Sequence, residues 1–329
     1  MSQQYGIQTT GQELVANYSK IIKGKVILTT GVSPGGLGAH FLHVVSQAQP
    51  ALLILAGRNV ATCQETGDAI NKDYPSVNIK ILQLDLSSFS AVRAAADKLL
   101  GWADVHAIDV VVNNAGIMAV PYTLTSDGYE SQFASNHLGH FLFTNLIMSK
   151  ILAAPCPRVI SISSAGHRFG GVRFADINFD SGALYDKWVA YGQSKTANIL
   201  FARRLAQKLA KHGLLAFSVH PGRIGTNLSV HLDRSPGGDV DAMIQVIRSK
   251  GLMAGFSPQK PFISLDQGVA THIFAAFDPN LSEHNGKYLL ECGIADPYQE
   301  DIMCWATSKV EADRLWTMSE TMVDQKFEY

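Results

Sequence analysis

The chain has 329 residues, 47% of them hydrophobic and 17% charged, with a formal net charge of −1. Such a composition supports a sizeable buried core and excludes broad disorder, and a near-neutral balance without basic blocks argues against nucleic acid as a partner. No apolar run approaches the roughly 20 residues of a membrane span, and the four cysteines (Cys63, Cys156, Cys292 and Cys304) are scattered without a CxxC pair. They read as the reduced thiols of a cytoplasmic protein, with no metal site.

Residues 1–22 read as an N-terminal extension, lacking the apolar stretch and cleavage pattern of a signal peptide. Beyond them, apolar, β-rich runs at 26–30, 51–56, 77–84, 108–112, 159–163, 215–220 and 287–290 alternate with helix-like stretches near 36–48, 60–73, 87–101, 126–153, 189–212 and 264–277. Several of the runs are apolar throughout, which suits strands of a parallel sheet covered on both faces. This alternation predicts an α/β fold, a doubly wound parallel sheet of Rossmann type with helices on both faces. With no linker and no repeat, residues 1–329 read as a single domain. Two segments break the rhythm. Residues 165–188 follow the fifth strand, and 227–263, with a short helix near 239–250, follow the sixth. Ligands of an open sheet sit beyond the carboxyl ends of its strands, where both segments leave, so both are predicted to be substrate-side loops, the second a lid.

The turn after the first strand reads TTGVSPGGLGAH, with Gly31, Gly35, Gly36 and Gly38 before a helix and with Ser33 and Leu37 between them. Glycines at such a turn let backbone approach a pyrophosphate, whose charge the helix N-terminus stabilises. The second strand ends in LLILAGRN, so that Arg58 and Asn59 stand where a carboxylate would bind the ribose 2′-hydroxyl of NAD. A guanidinium grips a 2′-phosphate that a carboxylate would repel, which favours NADP(H). After the third strand comes LDLSS, where Asp85 and Leu86 lie at an adenine site and Ser87 or Ser88 caps the next helix. The fourth strand ends in VVNNAG, and the small residues among Asn113, Asn114, Ala115 and Gly116 let a cofactor pass close to the strand tips.

In chain order stand VVNNAG, Asn136 in SNHLGHF, Ser164 at the end of ISISS, Tyr191 and Lys195 in YGQSK, Pro221-Gly222 after the sixth strand, and Ile224 and Thr226 beyond. With this set the sequence resembles a short-chain dehydrogenase/reductase of the single-domain type, from about residue 23 to 290. NHLGHF, the 165–188 loop and the ending LWTMSE resemble the retinol-dehydrogenase-like branch and its fungal biosynthetic relatives. The glycine turn departs from the family spacing TGxxxGxG by one residue. Gly31-Gly35-Gly38 and Gly31-Gly36-Gly38 both fit, and the second keeps Gly36-Leu37-Gly38 as the helix entry while Pro34 and Gly35 absorb the insertion.

Tyr191 and Lys195 are four apart on a helix and share a face. A phenol of pKa ~10 works best near pH 7 if that value falls by roughly three units, about 4 kcal/mol, and a nearby ammonium and a nicotinamide's positive charge supply such a field. Tyr191 would protonate a carbonyl oxygen as hydride arrives, or deprotonate an alcohol in reverse, with Ser164 donating to the same oxygen. The resemblance further implies that Lys195 holds the nicotinamide ribose and that Asn136 orders a water linking Lys195 to solvent. The expected activity is an NADP(H)-dependent oxidoreduction of a ketone or aldehyde, or the matching alcohol, on a fairly apolar small molecule. In the cytosol it would run towards reduction. A dehydratase or isomerase on the same fold, or a nucleotide sensor without turnover, are the alternatives.

His137 and His140 lie three apart, with His167 and His220 after later strands, yet no third zinc ligand is placed. Met243, Met253, Phe256 and Phe262 fit an apolar pocket or the core beneath a loop equally well. The helices at 126–153 and 189–212 carry apolar or small residues on more than one face (Ala190, Ala197, Phe201, Leu205), which suits the interface of a homodimer or homotetramer.

Overall fold

The computed structural model describes residues 5–252, 262–299 and 302–329. Its sheet has the order β3-β2-β1-β4-β5-β6-β7-β8. The strands are β1 (Val26–Thr30), β2 (Leu52–Gly57), β3 (Ile79–Gln83), β4 (Val110–Asn113), β5 (Arg158–Ile162), β6 (Leu215–His220), β7 (Tyr288–Leu290) and the short β8 (Gly293–Ile294). All pairings from β1 to β7 are parallel, and β8 turns back antiparallel on β7. Strand order reverses between β1 and β4, which opens a crevice at the carboxyl ends there.

The continuous apolar strands are explained by what covers them. Ile27, Leu53, Leu55 and Val112 face one side, under α1 (Gly11–Ile22), α2 (Leu37–Ser46), α3 (Val60–Asp73) and α10 (Leu265–Phe277). Leu28, Ile54, Ala56 and Val111 face the other, under α4 (Phe89–Leu100), α6 (Gly139–Leu146), α8 (Lys187–Leu209) and α12 (Lys309–Met322). Between α4 and α6 lies the short α5 (Ser131–Phe133), and α7 (Met148–Leu152) follows α6. The segment after β6 carries α9 (Asp239–Ser249), and α11 (Cys304–Thr307) precedes α12.

Three features differ from or add to these expectations. The stretch 126–153 is several pieces and not one helix, because a π-turn at Ala134–Leu138 inserts a residue and Ile147, with φ −92 and ψ 7, breaks α6 from α7. The extension 1–22 contains a packed helix. Thr10 caps α1 by accepting from the Glu13 amide, and the Tyr18 hydroxyl donates to Asp278 at 2.6 Å, tying α1 to the end of α10.

The third change concerns the face expected to meet another subunit. Phe201 and Leu205 of α8 and Phe141 of α6 are buried beneath the chain's own α12. The Trp316 ring lies 5.0 Å from Phe141, edge on, and stacks on Phe201 at 6.2 Å. Asp313 pairs with Arg204 at 3.0 Å, and the Tyr329 hydroxyl donates to Asn145 at 2.6 Å. Removing a buried indole leaves a cavity, so Trp316→Ala should cost about 3–5 kcal/mol in equilibrium denaturation. A loss below about 1 kcal/mol would mean that α12 is not part of the core.

Candidate active site

A cavity of about 870 Å³ lies along the carboxyl ends of the strands. It is lined by Gly31, Ser33, Gly36 and Leu37 after β1, Arg58 and Asn59 after β2, Asp85 and Leu86 after β3, and Asn114, Ala115 and Gly116 after β4. Ser164, Tyr191 and Lys195 form its floor, and Pro221, Gly222, Ile224 and Thr226 line it after β6. Two residues read as cofactor contacts do not line it. Asn113 is turned away, because successive strand side chains point to opposite faces, and it donates to Thr144 at 2.9 Å inside the core. Gly38 supports the turn from behind, where a Cβ would stand 2.6 Å from the Gly31 carbonyl.

The glycine turn takes the second of the two spacings. Gly35, at φ +75, absorbs the extra residue, and Gly36 is the N-cap of α2. Asn114 donates to the carbonyls of Thr30 and Gly31 at 2.8 and 2.9 Å, joining the turn to the end of β4. Arg58 stands exposed at the far end, while Asn59 caps α3 by accepting from the Ala61 amide at 2.9 Å. Asp85 accepts from the amide and hydroxyl of Ser87, at 3.0 and 2.6 Å.

At the floor, the Ser164 hydroxyl accepts from the Gly166 amide at 3.0 Å and hydrogen-bonds Tyr191. A Cβ on Gly166 would lie 2.7 Å from the Tyr191 ring, so glycine is what lets the two meet. The Lys195 ammonium donates to the Ile162 carbonyl at 3.1 Å and sits 5.5 Å from the centre of the Tyr191 ring. Burial pushes Tyr191 up to about 12 and Lys195 down to about 8. Among the chain's own groups the ammonium does not offset that burial, and the nicotinamide's charge, the other field expected to lower the phenol, comes only with bound cofactor. Desolvation of the tyrosinate dominates, and of the chain's own groups the Ser164 hydrogen bond opposes it.

Asn136 sits in the π-turn, fully buried. Its side chain donates to the Ile117 carbonyl and Ser194 hydroxyl, both at 2.9 Å, and accepts from the Ile117 amide at 2.8 Å. Its carbonyl meets Nδ1 of His140 at 3.0 Å. Thr30 accepts from the amides of Asn114 and Ala115, so its own proton goes to Nε2 of His140, 2.9 Å away, and Nδ1–H donates to Asn136. His140 thus links the glycine turn to the π-turn as a neutral ring, its pKa pushed down to about 4 by burial. His137 bonds Ser319 of α12 at 2.8 Å, and His167 bonds the Ser164 carbonyl at 2.7 Å. Only the spacing of NHLGHF could have pointed to His140.

The other half of the cavity is apolar, with Met118, Phe169, Trp188, Met243, Ile247 and Leu252. Met243 and Phe262 line it, and Met253 and Phe256 lie outside the described residues. The segment after β6 is tied to this wall by an ion pair between Lys187 and Asp239, by Trp188 Nε1 donating to the Asp239 carbonyl at 3.0 Å, and by His231 donating to the Met118 carbonyl at 2.9 Å. Gly6 and Ile7 also line the cavity, which nothing in their sequence signals.

The family model described as short chain dehydrogenase matches residues 25–176. The chain is 34% identical to the short-chain dehydrogenase TIC 32 A, chloroplastic, of Brassica napus over 91% of its length and 88% of the relative's. It is 32% identical to mouse retinol dehydrogenase 12, covering 91% and 86%. Oxidoreductase fscI of Fusarium equiseti is 36% identical, covering 65% of this chain and 93% of the relative. Among solved structures, an uncharacterised protein from Mycobacterium paratuberculosis superposes with a TM-score of 0.68 at 29% identity, covering 94% and 96%. NADPH-bound carbonyl reductase from chicken fatty liver shares the fold at TM-score 0.57 and 17% identity, covering 83% and 99%. Glycine turn, buried asparagine, serine, tyrosine and lysine stand at one sheet edge, in a chain this similar to those relatives throughout. The chain belongs to the short-chain dehydrogenase/reductase family of oxidoreductases, in its retinol-dehydrogenase-like branch.

Proposed function

We propose that this oxidoreductase uses NADP(H) to reduce a ketone or aldehyde on a fairly apolar small molecule. The observation that carries the cofactor choice is Arg58, exposed at the cavity's end after β2, where a dinucleotide's adenosine ribose would lie. Its guanidinium would pair with a 2′-phosphate in a bidentate fork. The NADPH in the chicken carbonyl reductase structure is in keeping with that preference. Bound there, the cofactor supplies hydride and, once oxidised, a positive ring beside the phenol. The turn at Gly31, Ser33, Gly36 and Leu37 would hold its pyrophosphate at the N-terminus of α2, with Asp85 and Leu86 at the adenine and Asn114, Ala115 and Gly116 along its path. Pro221, Gly222, Ile224 and Thr226 would bracket its other end.

In that reading Tyr191 gives its proton to the carbonyl oxygen of the substrate, and Ser164 donates to the same oxygen. The Lys195 ammonium stabilises the tyrosinate that forms, and Asn136 holds the backbone at Ile117 across from it. The apolar wall of Phe169, Trp188, Met243 and Ile247 excludes water and selects a substrate with a hydrophobic body. Four free cysteines suit a reducing cytoplasm, and the similarity to the Fusarium oxidoreductase makes secondary metabolism the setting we favour. A homodimer or homotetramer would use a surface other than the α6–α8 face that α12 covers.

Fluorescence titration tests the cofactor choice. NADPH should bind at least tenfold more tightly than NADH, about 1.4 kcal/mol, and Arg58→Ala should erase most of that gap. Equal affinities in the wild type would remove the role given to Arg58. The pH profile tests the chemistry. Lys195, lowered to about 8, is charged below that value, so kcat/KM for reduction should fall as pH rises through it, while Tyr191 stays protonated. A profile flat from about pH 7 to about 10 would contradict the role of the ammonium.

A further inference from the structure

We propose that His167 is a positioning residue for Ser164, fixing the serine's backbone so that its hydroxyl meets Tyr191, and that it does so while anchored to the C-terminal segment. The inference rests on the roles given above to Ser164 and Tyr191.

His167 is fully buried, and each of its polar atoms has a partner. Its amide donates to the Ser164 carbonyl at 3.0 Å, and Nδ1 lies 2.7 Å from the same oxygen. A carbonyl only accepts, so Nδ1 carries the ring proton. Nε2 lies 3.3 Å from the Met303 amide, which only donates, so Nε2 is the acceptor. One neutral tautomer satisfies both partners, and burial, which pushes the ring's pKa down to about 4, favours it. The His167 carbonyl in turn accepts from the Thr196 hydroxyl at 3.1 Å and the Trp305 indole at 3.2 Å.

Both lone pairs of the Ser164 carbonyl are therefore taken by His167, which fixes the peptide plane that follows the serine. With the Gly166 amide already donating to Ser164 Oγ at 3.0 Å, the hydroxyl proton is left for Tyr191. The anchors of this arrangement lie elsewhere in the chain. Met303 and Trp305 flank the start of α11, the Trp305 ring packs 3.4 Å from where a Gly171 Cβ would stand, and Thr196 follows Lys195 on α8. The loop bearing the serine is thus clamped between the catalytic helix and the C-terminal segment.

The test separates the two anchors of the ring. His167→Asn keeps a donor near the Nδ1 position, and His167→Gln keeps an acceptor near Nε2 but cannot readily turn back to Ser164. With NADPH and a carbonyl compound that the wild type reduces, His167→Gln should lower kcat about tenfold or more with little change in KM or NADPH affinity. His167→Asn should restore most of that loss. In a Ser164→Ala background, His167→Gln should have no further effect on kcat, because the hydroxyl it places is gone. A loss that persists in Ser164→Ala, or full kcat in His167→Gln, would overturn the inference while leaving the chemistry of Ser164 intact. If Ser164→Ala itself keeps wild-type turnover, the role of Ser164 fails first and His167's falls with it. Should His167→Gln not fold, Trp305→Phe serves instead. It removes one donor to the His167 carbonyl, and its smaller kcat loss must likewise vanish in Ser164→Ala.

Discussion

The buried Lys195 ammonium ties the helix that carries Tyr191 to the tip of β5. The Lys195 side chain lies deep in the junction of α8 with β5, and an ammonium taken out of water is costly unless its donors are used. The Ile162 carbonyl at the end of β5 accepts from it at 3.1 Å, and from Asn198 at 2.9 Å. Ser163 returns a hydrogen bond from β5 to the Lys195 carbonyl at 2.8 Å. These contacts staple α8 to the strand tip, and so place Tyr191, one turn earlier, against Ser164 just beyond it. Burial also pulls the lysine down to about 8, which brings its charge within reach of ordinary pH.

Around that junction the cavity divides into a part lined by hydrogen-bonded strand ends and a part lined by apolar side chains. The first part is built from strand ends and from side chains that bond backbone. Asn114 holds Thr30 and Gly31, His140 joins Thr30 to Asn136, and Asn136 holds Ile117. The second part is built from the loop after β5 and the segment around α9, where apolar contacts predominate beside a few polar ties (Lys187 with Asp239, His231 with Met118).

Much of this was legible in the sequence because short-range patterns determine it. The apolar runs at 26–30 and 215–220 became strands with those bounds, and 60–73 became a helix with those bounds. Arg58 and the glycine turn declared themselves by position after a strand. What was hidden depends on packing between distant segments. The face of Phe201 and Leu205 reads equally well as a subunit interface or as the bed of another helix, and only the fold shows Trp316 lying on it. Asn113 and Asn114 are neighbours of one residue type, and strand alternation decides that the second meets the cavity while the first bonds Thr144. The ionisation of Tyr191 also depends on desolvation, which raises its pKa and which the sequence does not display.

In the proposed function the buried junction of Tyr191, Lys195 and Ser164 gives a proton to a carbonyl oxygen, and a bound nicotinamide would supply the hydride. The most direct measurement mixes the protein with NADPH and a panel of apolar ketones and aldehydes and follows the loss of NADPH absorbance, for the wild type and for Tyr191→Phe. The account predicts NADPH consumption matched by alcohol formation in the wild type. It predicts a rate lower by at least about 100-fold in Tyr191→Phe, with NADPH still bound. Equal consumption by both proteins would contradict it.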